Sequence, residues 1–193
     1  PPRRAPANGA DPKIENLLRQ MTVEEKVGQM TQVTIDVVSV PNAVGRNHRL
    51  DPKKLEEAIL KWHVGSILNV NGEAYTVDHW HDVLNAIQDV VEKSRLKIPV
   101  LYGIDSIHGA NYTLDAVLFP NAISAAATWN LELVKKSAEV SAFQTRASGI
   151  PWTFYPVQDI GRQPLWPRFW ETFGEDVHLA SRMGAVYTEG LQG

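Results

Sequence analysis

Residues 98–109 read IPVLYGIDSIHG. The run 98–104 is uniformly apolar, as a strand covered on both faces by other elements is. It stops at Asp105, and Ser106 and His108 follow within three residues. A buried strand that gives way at once to polar residues predicts a parallel βα unit. In such units the polar groups gather just past the strand ends.

The same pattern repeats in both directions. Upstream, 64–70 (VGSILNV) is a second compact apolar run, closed by Asn71-Gly72. Between the two runs, residues 76–94 place Val83, Leu84, Ile87, Val90 and Val91 on one face at helical spacing. Asp51-Pro52 begins an earlier helix that continues to about Trp62, with Asp as N-cap and Pro in the first turn. Residues 37–49 carry Pro, Asn and Gly and read as a loop, while 27–35 is apolar and β-branched enough for a first strand. Before it, 14–20 has helical spacing, and Thr22 with Glu25 forms a capping-box signature for a second helix. Downstream, 122–127 is a candidate further strand, 130–147 a helix, 153–157 a strand and 176–189 a last helix. Short apolar strands alternating with helices of ten or more residues predict an α/β protein built from parallel βαβ units. Either an open doubly wound sheet or a barrel satisfies the handedness rules. Polar residues past the strand ends (Asn69 and Asn71, Asp105 and His108, Asp159 and Arg162) match the C-terminal face of a barrel. Four or five strands are only part of a (β/α)8 TIM-type barrel.

Composition narrows the classes. The 193 residues carry a net charge of −3, which favours neither nucleic acid nor anionic membrane as a partner. With no cysteine there is no disulfide, thiolate metal site or cysteine nucleophile. No apolar stretch is long enough to span a bilayer. Residues 1–13, opening PPRRAPANGAD, are expected as a flexible lead-in from a processed end or an artificial boundary, with 14–193 as the folded domain.

Asp105 is the first candidate for chemistry. A carboxylate fixed behind a strand accepts two hydrogen bonds from a vicinal diol. An Asx residue capping its own turn is the equally weighted structural alternative. Ser106 and His108 lack the glycines of a nucleophile elbow, which disfavours a serine-hydrolase reading. His79 and His81 lie at i and i+2 of a helix and point apart, so they do not share a metal ion, and a solvated helix start is expected. Neither a cofactor nor a metal is implied.

The second candidate region, 153–176, reads TFYPVQDIGRQPLWPRFWETFGED. A strand running into two prolines, two tryptophans and paired charges predicts a rigid loop that holds polar groups. Aromatic faces beside carboxylates and arginines suit a sugar, which offers both hydroxyls and a C–H face. Arg162 directly follows the strand end and is the substrate-binding candidate. Trp166, Arg168 and Glu171 are expected to brace the loop, with Glu175 as another partner for Arg168.

With these residues in view, the chain resembles the N-terminal part of glycoside hydrolase family 3, the β-glucosidase-like family. The segments that carry the resemblance occur in order: MTVEEKVGQM (21–30), GIDSIHGAN (103–111), FPNAISAAATWNLELV (119–134), RASGIPWTFYPVQDIGRQPLWPRFWETFGED (146–176) and GLQG (190–193). The resemblance implies a (β/α)8 barrel followed by an α/β sandwich domain. It also implies an exo-acting β-glucosidase that releases terminal non-reducing glucose with retention, through an aspartate nucleophile and a glutamate acid/base. Asp105 and Arg162 fall where the family holds the sugar of the −1 subsite. The family's Lys-His substrate-binding pair, nucleophile and acid/base are expected beyond Gly193, leaving no catalytic residue here. Where the family has Arg-Asp-Pro, this chain has Arg162-Gln163-Pro164, an exchange without a physical account.

The implied partners are a β-linked oligosaccharide or an aryl or alkyl β-glucoside, together with the rest of the same enzyme. A β-xyloside or β-N-acetylhexosaminide is the alternative substrate. A stand-alone half-barrel, binding sugar without catalysis or serving in assembly as a homodimer, is the alternative function. The implied compartment is periplasmic or extracellular.

Overall fold

The computed structural model describes residues 11–193, so the expected lead-in lies outside the described residues up to position 10. The first helix, α1 (Pro12–Gln20), starts two residues before Ile14 because Asp11 caps it, accepting from the Lys13 N–H at 2.8 Å. Helix α2 (Val23–Gln29) has the anticipated capping box. The Thr22 N–H donates to Glu25 at 2.8 Å and the Glu25 N–H to Thr22 Oγ1 at 3.2 Å. Strand β1 (Gln32–Thr34) is followed by a 3₁₀ turn, Ile35–Val38. Helix α3 (Pro52–Glu56) continues as a π-helical turn, Glu57–Lys61. Then come β2 (Ser66–Leu68), α4 (Val77–Val91), β3 (Leu101–Ile104), α5 (Ala122–Ala126), α6 (Leu131–Ala147), β4 (Trp152–Thr153) and α7 (Val177–Gln192).

The four strands form one parallel sheet in chain order, β1-β2-β3-β4, with helical crossovers between neighbours. This is the strand order of the opening part of a (β/α) barrel, and the fold is α/β as the alternation predicts.

Three expectations change. The segment 27–35 is not one strand: its first residues extend α2, and Ile35 and Val38 are fully buried at the i, i+3 spacing of the 3₁₀ turn. The capping box and this helical spacing outweigh β-branched propensity. The candidate strand 122–127 is instead α5 and its C-cap Ala127, with Ala122 and Ala126 buried at i, i+4, so the described residues hold four strands and not five. Alanine is the strongest helix former and brings no side chain suited to a sheet. The strand expected at 153–157 is paired only through Trp152 and Thr153, and the chain then leaves the sheet before Pro156, which has no N–H for a ladder.

The helix-facing side of the sheet is dry. Ile67, Tyr102 and Ile104 pack there with Trp80, Val83 and Ile87 of α4 and with Leu55 and Ile59. Each fully buried side chain of this size contributes roughly 1.5–3 kcal/mol. A second cluster joins α5, α6 and α7 through Val134, Ala138, Met183 and Tyr187, with Tyr155 and Phe173 from the segment after β4. The strand expected to be covered on both faces is not, since on the opposite face Leu101 is 51% exposed and the neighbouring Trp152 40%.

Candidate functional site

Parallel pairing brings the ends of β2 and β3 side by side. Asn69 and Asp105 are the first residues past those two strands. They meet reciprocally: the Asn69 Nδ2 group donates to Asp105 Oδ2 at 2.9 Å, and the Asp105 backbone N–H donates to Asn69 Oδ1 at 3.1 Å. Asp105 therefore does not bond its own turn as an Asx cap would. Its Oδ1 makes no hydrogen bond among the described residues, which leaves one carboxylate oxygen to accept from a ligand. Asn69 is itself fixed. Its φ is +62°, its N–H donates to Gly103 O at 3.0 Å, and its carbonyl accepts from the buried Tyr102 hydroxyl at 2.6 Å.

The loop after β4 supplies the cations. Arg168 grips Glu171 through both Nε (2.9 Å) and an Nη (2.6 Å), with both bonds falling on Glu171 Oε2. That hydrogen-bonded pair holds the guanidinium more firmly protonated than usual, and Asp105 and Asp159 add to the effect through space. Arg168 thus lies within electrostatic reach of Asp105. The alternative pairing of Arg168 with Glu175 is not formed. The backbone of Trp166 joins the loop's turns, its main-chain N–H donating to Gln163 O (3.0 Å) and its carbonyl accepting from the Phe169 N–H (3.1 Å).

Arg162 is exposed, and its guanidinium makes no hydrogen bond or ion pair among the described residues. Its position is set by the backbone. The Arg162 N–H donates to Ile160 O at 2.9 Å, and the preceding Gly161 N–H reaches Gly174 O at 3.0 Å. A side chain at Gly161 would lie 2.6 Å from Thr172 Oγ1, so only glycine lets the two arms of the loop close at that point.

The neighbouring polar residues have structural partners. Ser106 is 4% exposed and its hydroxyl lies 3.3 Å from Thr145 Oγ1. His108 donates through Nδ1 to Phe119 O at 3.0 Å. His81 donates to Ala147 O, whereas His79 is no solvated helix start but bonds the buried His48, Nε2 to Nδ1, at 2.9 Å. His48 Nε2 lies 2.8 Å from Ser39 Oγ, whose proton goes to Ile35 O at 2.7 Å. Since Ser39 spends its proton on Ile35, His48 must donate to it, and His79 must donate to His48. Burial and then the charge of His79 lower the His48 pKa to about 4. Among the described residues, no group of three His, Cys, Asp or Glu side chains is placed to hold a metal ion.

Sequence reasoning pointed to Asp105 and Arg162 but missed the Asn69 clamp. Asn69 was visible as a polar residue at a strand end, but nothing in the sequence names a partner 36 positions away.

Comparison with known proteins adds family context to this geometry. The lysosomal β-glucosidase of Dictyostelium discoideum is 43% identical over 192 residues, covering 95% of this chain and 23% of the relative. A periplasmic β-glucosidase of Salmonella typhimurium is 32% identical, with 95% and 21% covered. Among solved structures, the exo-1,3/1,4-β-glucanase of a Pseudoalteromonas species superposes with a TM-score of 0.77 at 29% identity, over 95% of this chain and 23% of that one. The chain therefore spans between a fifth and a quarter of the length of these relatives. The model of the glycosyl hydrolase family 3 N-terminal domain matches residues 22–193, and on that match, with the parallel α/β sheet it accompanies, the chain belongs to glycosyl hydrolase family 3.

Proposed function

We propose that this chain forms one wall of the −1 subsite of a retaining, exo-acting β-glucosidase. The observation that carries the reading is Asp105: a carboxylate just past β3, pinned through one oxygen and open at the other. In this reading Asp105 Oδ1 accepts from a hydroxyl of the terminal sugar, and Arg162 reaches the same ring from the loop after β4. Trp166 and the Arg168–Glu171 pair hold that loop in shape. The relatives' names, two β-glucosidases and an exo-β-glucanase, support glucose at a chain end as substrate.

Bond cleavage belongs to residues beyond Gly193 in the full-length protein. There an aspartate attacks the anomeric carbon while a glutamate protonates the leaving oxygen. Water then releases the glycosyl-enzyme, giving its proton to the same glutamate, with the two carboxyl groups roughly 5 Å apart. The relatives' compartments, a lysosome and a periplasm, support a location outside the cytosol.

A second reading, assembly of the isolated chain as a homodimer, rests on the open sheet face and on Met30 (80% exposed) and Trp62 (59%). The activity test uses an aryl β-glucoside and a laminari-oligosaccharide. The full-length protein is expected to release glucose from the non-reducing end with retained configuration, and the 193-residue chain to release none. Turnover by the isolated chain contradicts the absence of a catalytic pair, and inverted product contradicts the mechanism.

A further inference from the structure

We infer that Asn69 is a positioning residue for sugar recognition, acting through Asp105. The inference rests on the reading of Asp105 as a substrate ligand. Three observations lead to it. First, the backbone polar groups of Asn69 are already satisfied, the N–H by Gly103 O and the carbonyl by the Tyr102 hydroxyl. Its amide side chain is therefore not needed for its own main chain. Second, that amide is spent entirely on Asp105. The Asp105 backbone N–H can bond only to the amide oxygen, which fixes the amide's orientation and aims Nδ2 at the carboxylate. One side chain thus holds both the main chain and the carboxylate of Asp105 and leaves it a single orientation. Third, Asn69 adopts a φ of +62°, a region that asparagine and glycine enter at little cost and most residues do not.

The consequence is a directional carboxylate. With Oδ2 held by Asn69, Oδ1 is the acceptor presented to a hydroxyl. Without the amide, the carboxylate rotates freely and loses the alignment on which hydrogen bonding in the transition state depends.

The test is a double-mutant cycle in the full-length protein, with kcat and KM measured on an aryl β-glucoside. Asn69→Gly keeps the backbone conformation and deletes the amide, which also removes the acceptor of the Asp105 N–H, so its fold is expected to survive with a melting temperature a few degrees below that of the parent. It is expected to lose about 10- to 100-fold in kcat/KM. Asn69→Asp retains the oxygen that accepts from the Asp105 N–H but turns a like charge on the carboxylate. It is expected to lose at least as much although the N–H keeps its partner, so the loss does not come from an orphaned N–H. Added to Asp105→Ala, Asn69→Gly is expected to cost less than about twofold further, because its effect travels through the missing carboxylate. Activity of Asn69→Gly within twofold of the parent, or a loss that adds in full to that of Asp105→Ala, overturns the inference. Parental kinetics in Asp105→Ala alone would instead overturn the substrate-ligand reading on which it stands.

Discussion

At Asp105 and His48, two polar residues of this fold, the surroundings decide what each side chain does. Asp105 keeps one oxygen unbonded among the described residues, and a neighbouring strand end supplies the amide that holds the other. His48, 2% exposed and stacked on Tyr75 at 4.7 Å, is held neutral. The polar groups facing it are Ser39, His79 and Tyr75, with Lys54 bonded to the Ser39 carbonyl. Its pKa is about 4 in the folded chain against 6.5 when unperturbed, so the unfolded chain takes up the proton first as pH falls. Stability from this group is complete above pH 6.5 and lost progressively towards pH 4. The loss over that window is on the order of 3 kcal/mol. Urea unfolding of the chain at about pH 7 and about pH 4.5 is expected to show that decline, and His48→Gln is expected to flatten it. An unchanged slope of stability against pH in His48→Gln would exclude His48 as its source.

At the scale of elements, local signals were legible and long-range ones were not. The starts of α2 and α3 were readable from Thr22 and Asp51-Pro52, because a cap acts within three residues of itself. The ends of β1 and β4 were not, because pairing with a neighbour sets a strand's length and periodicity does not reveal the neighbour. The same limit separates Asp105, predictable from its place behind an apolar run, from Asn69 and from the His48–His79 contact, which bridge distant segments.

Gly28 shows the competition between levels. In a free helix Gly→Ala stabilises by roughly 1 kcal/mol. Here a Cβ on α2 would press on the Trp62 carbonyl and approach His63 Cβ to 2.6 Å. Backbone does not yield cheaply, so Gly28→Ala is expected to destabilise by about 1–3 kcal/mol in chemical unfolding. Stabilisation would mean that α2 does not pack this tightly on the segment before β2. Thr22→Ala is expected to cost about 1 kcal/mol through loss of the cap. Glu25 keeps a second partner in that variant, since Arg95 reaches it at 2.6 Å and 3.1 Å.

For the whole molecule, the parallel order of four strands brings Asp105 and the Arg162 loop to one end of a sheet whose helix-facing side is dry and whose other side is open. Exposed apolar side chains such as Leu101, Trp152, Met30 and Trp62 cost free energy in water, so the isolated 193-residue chain is expected to sediment as a dimer or larger species. A strictly monomeric chain would remove the assembly reading. The family match and the free oxygen of Asp105 support the proposal that this chain grips the terminal sugar while other residues break the bond. The most direct measurement is the pair kcat and KM for Asp105→Ala in the full-length protein on an aryl β-glucoside. The account predicts a higher KM and a kcat lowered by about 100-fold or more, because the hydroxyl contact strengthens as the oxocarbenium-like transition state forms. Parental values of both constants in a folded variant would contradict it.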